Sequence, residues 1–444
     1  MAAFRLRVVA MRFIYNILFP LGLLVAAPFY WLKMVRRGNW REGFGERFGK
    51  YGHKLKVALT NRRVLWLHAV SVGEVNLCTQ IIQELEPRLP LHKIVVSTTT
   101  STGMAELHRR LPSHISKIYY PIDRRRHVQR AMGVIHPEAV VLVEAEIWPN
   151  FLWTLQRRGK PVFLVNARIS ARSFRGYRRF GFLFRPLFAS FTAVSAQNEA
   201  DAARLRELGC RPEAIHVVGS LKFDSAQLEE RRLMDVPRLL RQLGVPEDAP
   251  ILVGGSTHAG EEAILARVVL ALRRRHPNLF LVLVPRHHER GRQVGSELTA
   301  AGLPFVYRTD VGADTRRAPG SVSCLLVNTT GELRYFYEAA TVVFVGKSLT
   351  AQGGQNPIEP AAMGKPVVFG PHMDNFPQVV PQFLAADAAV QVADEAALES
   401  ALDALLSDPA RRRALGESAK AVVARNRGSI SRTVDLIVQH LSGV

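Results

Sequence analysis

Acidic and basic side chains recur in this 444-residue sequence at one kind of place, directly after a short run of apolar, β-branched residues. The first such place is His68-Ala69-Val70-Ser71-Val72-Gly73-Glu74, where Gly73 permits a tight turn and Glu74 falls at or near a helix N-terminus. A carboxylate there can take the proton of a substrate hydroxyl. It can equally cap the helix, whose free N–H groups and dipole favour an acid. The second place is Glu144-Ala145-Glu146-Ile147-Trp148-Pro149-Asn150, two acids at i and i+2 that share a face if they lie on a strand, before Pro149 opens a helix. Salt bridges to the many arginines are the structural alternative. The third, Gly219-Ser220-Leu221-Lys222-Phe223-Asp224, offers Lys222 to an anion, or to solvent beside a linker.

Further along, Gly254-Gly255-Ser256-Thr257-His258-Ala259-Gly260-Glu261-Glu262 lets backbone N–H groups approach an anion at a helix N-terminus. It matches neither G-x-G-x-x-G nor G-x-x-x-x-G-K-[ST], which disfavours NAD and ATP. Pro285-Arg286-His287-His288-Glu289-Arg290, Asn328-Thr329-Thr330-Gly331-Glu332-Leu333 and Gly353-Gly354-Gln355-Asn356-Pro357-Ile358-Glu359-Pro360 also follow strand-like runs or a glycine-rich loop. An arginine for a phosphate, backbone donors for a base and a carboxylate for ribose hydroxyls are the parts of a nucleotide-sugar site. Neighbouring His287 and His288 diverge, no acid or cysteine cluster completes a metal site, and Asp-x-Asp is absent, so no protein-bound metal or cofactor is expected. Between Arg168 and Arg185 six arginines interleave with Phe174, Tyr177, Phe180, Phe182 and Phe184. Arg168, Arg172, Arg175 and Arg178 are candidates to hold a phosphorylated lipid headgroup. A plain amphipathic helix with a solvated basic face is the alternative.

The elements that must carry these residues read as strands buried on both faces, alternating with helices. Runs from Val64, Lys93, Lys117, Ala139, Pro161 and Thr192 form one series, and runs from Ile251, Leu279, Pro304, Ser323, Thr341 and Pro366 a second. Two parallel sheets of about six strands imply an α/β chain of two tandem Rossmann-like domains facing a cleft. The expected boundaries are an anchor over 1–40, a first domain over 41–226, a polar linker over 227–249, a second domain over 250–425 and a C-terminal helix over 426–444. Phe13 to Trp31 holds about 19 residues without a charge, enough to cross a bilayer. It ends without a small-residue cleavage site, which favours an anchor over a signal peptide, and Pro20 and Gly22 also allow a segment that enters one leaflet. A net charge of +21 suits an anionic partner. Three scattered cysteines, Cys78, Cys210 and Cys324, suit a reducing compartment.

The ordered set HAVSVGE, EAEIWPN, NARISARS, GSLKFD, GGSTH-x-GEE, PRHHER, TTGEL and GGQNPIEPA, with the N-terminal apolar segment, resembles the 3-deoxy-D-manno-octulosonic acid (Kdo) transferases of lipopolysaccharide assembly. The match runs through nearly the whole chain. The resemblance implies a GT-B fold, CMP-Kdo as donor, and inverting transfer of Kdo to the 6′-hydroxyl of a tetra-acylated, bisphosphorylated lipid A precursor (lipid IVA). It implies Glu74 as proton acceptor, Glu144 and Lys222 as transition-state supports, and CMP binding by Pro285, Arg286, Thr330, Gly331, Glu332, Asn356, Pro357, Ile358 and Glu359. The inner membrane, with the catalytic domains in the cytoplasm against an anionic lipid surface, follows as location, with no nucleic-acid partner. Asn328 stands where the family pattern has Asp, Gln355 where it has His, Ser220 for Asn and Ala145 for Thr. These put donor affinity and pH dependence in question more than reaction class. A sugar-nucleotide epimerase of the same fold needs neither the apolar segment nor the basic aromatic stretch. A non-catalytic basic protein that binds membranes or RNA leaves the carboxylates after the strands without a role.

Overall fold

A computed structural model of the chain describes residues 2–36, 41–144, 146–226 and 234–442. Ala145 and positions 227–233 of the expected linker lie outside the described residues. The chain divides into two compact units, 1–224 with 428–444, and 225–427.

In the first unit the apolar runs become β1 (Arg63–His68), β2 (His92–Thr98), β3 (Ser116–Tyr119), β4 (Ala139–Val143), β5 (Val162–Ala167), β6 (Ala193–Ala196) and β7 (Ile215–Val217). All pair in parallel in the order β3-β2-β1-β4-β5-β6-β7. Side-chain alternation along β1 sends Val64 and Trp66 into one apolar core and Leu65 and Leu67 into another. A strand with helices on both faces has no solvent side, which is why it reads as a continuous apolar run.

The second unit repeats the plan with β8 (Ile251–Thr257), β9 (Phe280–Pro285), β10 (Phe305–Tyr307), β11 (Cys324–Leu326), β12 (Val342–Val345), β13 (Val367–Phe369) and β14 (Val390–Gln391), in the order β10-β11-β9-β8-β12-β13-β14. Each sheet has seven strands rather than six. The additions, β7 and β14, are edge strands of three and two residues, too short to show a pattern. Val236–Gln242, inside the expected linker, is a helix of the second unit. Asp235 caps it by accepting the N–H of Arg238 (3.0 Å), and Val236, Leu239 and Leu240 are buried. Its few apolar residues sit among charges, so composition alone read it as linker.

The chain ends by returning to the first unit. Helix Ser429–Ser442 packs on helix Val72–Leu85, and Ile430, Val434, Ile437 and Leu441 enter the core that holds Leu77 and Ile81. Full burial of each aliphatic stabilises by about 1.5–3 kcal/mol as an upper bound. The start of this helix is held by Asp224, which accepts the N–H groups of Gly428 and Ile430 at 2.7 Å each.

Asp224→Ala removes both acceptors and leaves two N–H groups unpaired, at an expected cost of roughly 1–3 kcal/mol. Hydrogen exchange should accelerate in 430–441 and stay unchanged in β8 and β9. Unaltered protection of that helix would show that its apolar face suffices.

Candidate functional site

β1 and β4 are neighbours, but the chain leaves β1 towards β2 and β4 towards β5, on opposite sides. Such a reversal leaves the carboxyl ends of the two strands uncovered by crossovers, a recurrent ligand position in doubly wound sheets. Glu74 and Glu144 follow these two strands.

Glu74 is the third residue of helix Val72–Leu85 and takes part in capping its start. Its N–H donates to Ser71 Oγ (3.2 Å), Ser71 Oγ–H donates to Glu74 Oε1 (2.7 Å), and the Val70 N–H donates to Oε2 (2.9 Å). The cap therefore holds the carboxylate in one orientation, half exposed. β4 stops at Val143, so Glu144 and Glu146 do not share a strand face as the i, i+2 spacing suggested. Glu144 instead takes a left-handed conformation, φ +62°, with its N–H bound to Val165 O (2.9 Å). This conformation costs a non-glycine residue of order 1 kcal/mol or more.

The turn brings the acids together. Burial raises the Glu144 carboxyl, the negative charge of Glu74 adds to this, and Lys222 and Arg168 oppose it. Burial pushes Glu146 up to about 7 against the hydrogen bond from Trp148 Nε1 (2.8 Å), with Glu74 and Glu144 contributing. Lys222 is lowered by burial and by Arg168, while Glu144 and Glu74 hold it up. Its backbone is placed from β5: Asn166, itself at φ +54°, accepts the Leu221 N–H on Oδ1 (3.2 Å). Three acids and two cations thus meet at one sheet end. Of the four arginines proposed for the acceptor, Arg168 joins this group, while Arg172, Arg175 and Arg178 are exposed on helix Ala171–Arg179. Arg178 pairs with Glu207 (3.4 Å).

In the second unit β8 and β12 form the equivalent reversal. Glu261, fully buried, accepts four backbone N–H groups there: His258 (2.8 Å), Lys347 (2.7 Å), Ser348 and Leu349 (2.9 Å each). It fastens the loop after β8 to the loop after β12. Beside it, buried Glu262 is raised by burial and held down by Arg290, whose Nη1 lies at 2.8 Å. Pro285 ends β9, buried, and Arg286 follows it, exposed, with its N–H on Thr257 O (3.0 Å). Glu359 is raised by burial, and Asn356, Arg334 and Arg286 lower it. Asn356 Nδ2 donates to Glu359 Oε1 (2.9 Å) and Asn356 Oδ1 accepts the Ile358 N–H (3.0 Å) beside Pro357. Gly354, at φ +71°, leaves no room for a Cβ, which would lie 2.4 Å from Met373 Sδ. Arg286, Asn356 and Glu359 are therefore one electrostatic group. Thr330 and Gly331 are exposed after β11, and Glu332 is engaged by Thr329 Oγ1 (2.6 Å) and Arg308 (3.1 Å).

Three of the four departures from the family pattern lie on described residues. Asn328 makes two hydrogen bonds with Thr309, accepting its N–H and donating to its hydroxyl; Gln355 is tied by its N–H to Gly346 O (3.1 Å); Ser220 Oγ is buried without a hydrogen-bond partner among the described residues. Among those residues no group of three or more His, Cys, Asp or Glu side chains is arranged to hold a metal ion.

Residues 42–225 match the family model described as 3-Deoxy-D-manno-octulosonic-acid transferase (kdotransferase). The 3-deoxy-D-manno-octulosonic acid transferase of Haemophilus influenzae is 31% identical over 97% of this chain and 99% of its own, and that of Bordetella pertussis 36% over 94% and 98%. The chain belongs to the Kdo transferase family. A glycosyltransferase from Rickettsia africae (14% identity, TM-score 0.54, covering 86% of this chain and 97% of that one) shares its fold. So does a UDP-GlcNAc 2-epimerase from Neisseria meningitidis (13%, TM-score 0.56, 86% and 100%). The architecture is thus that of GT-B proteins, two Rossmann-like units in tandem.

For this Kdo transferase family member, sequence reasoning left Glu146, Asn166, Glu261, Glu262 and Arg290 out of the site. Glu146 and the Glu261-Glu262 pair were visible as acids directly after strand-like runs; Asn166 and Arg290 act through partners distant in sequence.

The raised carboxyl of Glu146 has a definite sign. Between the ordinary carboxyl range and about 7 the folded protein binds more protons than the unfolded chain, so stability falls as pH rises through that window and is flat above it. Glu146→Gln should therefore lose less thermal stability than the parent between pH 5 and 7. Parallel melting curves for the two proteins would assign the titration elsewhere.

Proposed function

We propose that the chain transfers Kdo from CMP-Kdo, with inversion, to the 6′-hydroxyl of a tetra-acylated, bisphosphorylated lipid A precursor, at the cytoplasmic face of the inner membrane in lipopolysaccharide biosynthesis. The observation that carries this reading is the oriented carboxylate of Glu74 beside Glu144 and Lys222, at the sheet reversal of a Kdo transferase family member.

A sugar hydroxyl is a weak nucleophile until a base takes its proton as attack proceeds. Glu74 is the base in this scheme: its two accepted hydrogen bonds fix the carboxylate, and one lone pair on each oxygen remains for the acceptor. The hydroxyl oxygen bonds to the anomeric carbon of Kdo, the bond from that carbon to the CMP phosphate breaks, and the proton passes to Glu74. Lys222, whose cationic form Glu144 and Glu74 favour against burial, stabilises negative charge developing at the reacting centre, and Glu144 positions it. In the second unit Arg286 binds the CMP phosphate, with Pro285, Thr330, Gly331 and Glu332 along the nucleotide and Asn356, Pro357, Ile358 and Glu359 closing the site. Arg286 and Glu359 influence each other, which supports one site for both. The chemistry requires no protein-bound metal in this scheme, because cationic side chains and backbone N–H groups supply the charge. Arg168, Arg172, Arg175 and Arg178 receive the acceptor phosphates, and the +21 charge serves the anionic bilayer rather than nucleic acid.

Mass spectrometry of products from the full chain, CMP-Kdo and lipid IVA should show a Kdo mass increment. Glu74→Gln keeps one acceptor, for the Val70 N–H, while its amide NH2 can only donate towards Ser71 Oγ, and it cannot take a proton, so turnover should fall by roughly 10²-fold or more with CMP binding near the parent. Full turnover would remove Glu74 from the mechanism. Arg286→Ala should instead weaken CMP binding about tenfold or more, the value of one charge-assisted bond; unchanged donor affinity would remove Arg286 from the donor site.

A further inference from the structure

Helix Ala2–Arg36 contains one stretch, Met11–Phe29, long and apolar enough to cross a membrane. Its two sides differ. One face is bound to the first unit: Tyr15 Oη donates to Asp123 Oδ2 (2.9 Å), and Asn16 and Asn150 exchange amide hydrogen bonds at 3.2 and 3.1 Å. The Arg12 guanidinium lies 5.2 Å from the Trp153 ring centre, and Tyr15 meets that ring edge-on at 5.7 Å. The receiving group is built for this. Asp123 is buried and also accepts the N–H groups of Asn150 and Phe151, at 2.9 Å each, at the start of helix Pro149–Arg157. Near the other end Trp31 packs edge-on against Phe44 at 6.0 Å. The opposite face is open, with Phe13 68%, Leu18 61%, Leu21 56%, Leu24 74%, Val25 83% and Phe29 68% exposed.

Helix geometry decides between crossing and lying flat. From Asn16 to Arg36 the helix rises about 30 Å, the thickness of a bilayer's hydrocarbon core. A crossing helix joined to the first unit at its C-terminal end therefore carries Tyr15 and Asn16 to the far side of the membrane. There they cannot reach Asp123 and Asn150. Contacts at both Tyr15 and Trp31 require the helix to run alongside the unit. Undocking also leaves Asp123 without its Tyr15 donor and an Asn in hydrocarbon.

We propose that helix Ala2–Arg36 does not span the membrane but lies in one leaflet, latched to the first unit by Arg12, Tyr15 and Asn16, with its outer face in the acyl boundary of an anionic bilayer. This rests on the membrane location proposed above and specifies its form. The face fits lipid because within Met11–Phe29 its exposed side chains are all apolar, whereas a protein interface carries a polar rim with hydrogen bonds. Helix Pro149–Arg157, which bears Asn150 and Trp153, also packs against helix Gly181–Phe188. There Phe182 is 61% and Phe180 49% exposed, next to Arg178 and Arg179. Apolar insertion beside cations is the arrangement that binds an anionic membrane surface.

Three measurements on the full-length chain test this. In intact spheroplasts Ala3→Cys should escape a membrane-impermeant maleimide, and in inverted vesicles it should react; labelling in intact spheroplasts means a crossing helix and overturns the proposal. Oxidation of Asn16→Cys/Asn150→Cys in membranes should give an internal disulfide, and its absence overturns the latch. The parent should float with vesicles containing anionic phosphatidylglycerol, and Leu24→Glu/Val25→Glu should lose binding about tenfold or more. If that variant floats unchanged but loses a concentration-dependent dimer, the face is a protein interface and the proposal falls. Parent protein that floats with Ala3→Cys labelled from outside refutes only the in-plane helix; parent protein that does not float refutes the membrane location as well.

Discussion

Backbone polar groups at the carboxyl end of a parallel sheet must be satisfied, and where two neighbouring strands connect to opposite sides no helix covers them. Both units meet this constraint with polar side chains that accept loop N–H groups, one side chain for several of them in the second unit and one for each in the first. Glu261 takes four of them in the second unit. In the first, Asn166 accepts from Leu221, and Asp201 accepts from Ile169 at 3.0 Å. Non-glycine residues at positive φ gather at the same strand ends: Glu144 and Asn166 in one sheet, Ser256 and Lys347 in the other. Loops held in this way can keep strained turns, and those turns aim the side chains proposed to react.

The electrostatics of the first unit follow from that geometry. Glu144, Glu146 and Lys222 are half or largely withdrawn from water, so each feels Glu74 and its neighbours more strongly than surface groups would. An acid group with cations alongside is suited to a reaction in which a proton leaves a hydroxyl while negative charge grows on a phosphate. The +21 net charge belongs to another scale. It describes the whole chain, whereas three acids and two cations meet near Glu74. For Glu74 the cap that the structure shows and the base proposed above are compatible. The capping bonds that stabilise the helix start are the same bonds that orient the carboxylate.

The apolar N-terminal helix shows the same economy. Its composition alone satisfies the length rule for a span, yet within Met11–Phe29 the polar Arg12, Tyr15 and Asn16 lie on one face, where the first unit supplies partners for them. A stretch with one face satisfied by protein and the other apolar throughout Met11–Phe29 has its environment assigned side by side rather than end to end.

Sequence by itself determined the two parallel sheets, their order along the chain, the segments that carry the candidate residues and the family. These are legible because a strand buried on both faces must be apolar throughout, and because residues that follow it in sequence also follow it in space. Tertiary structure alone decided the left-handed turn at Glu144, the four-bond role of Glu261, the placement of Lys222 through Asn166, and the docking of Tyr15 on Asp123. Each depends on partners tens to more than a hundred positions apart. No local pattern records them, since burial and hydrogen-bond satisfaction are settled only when distant segments meet.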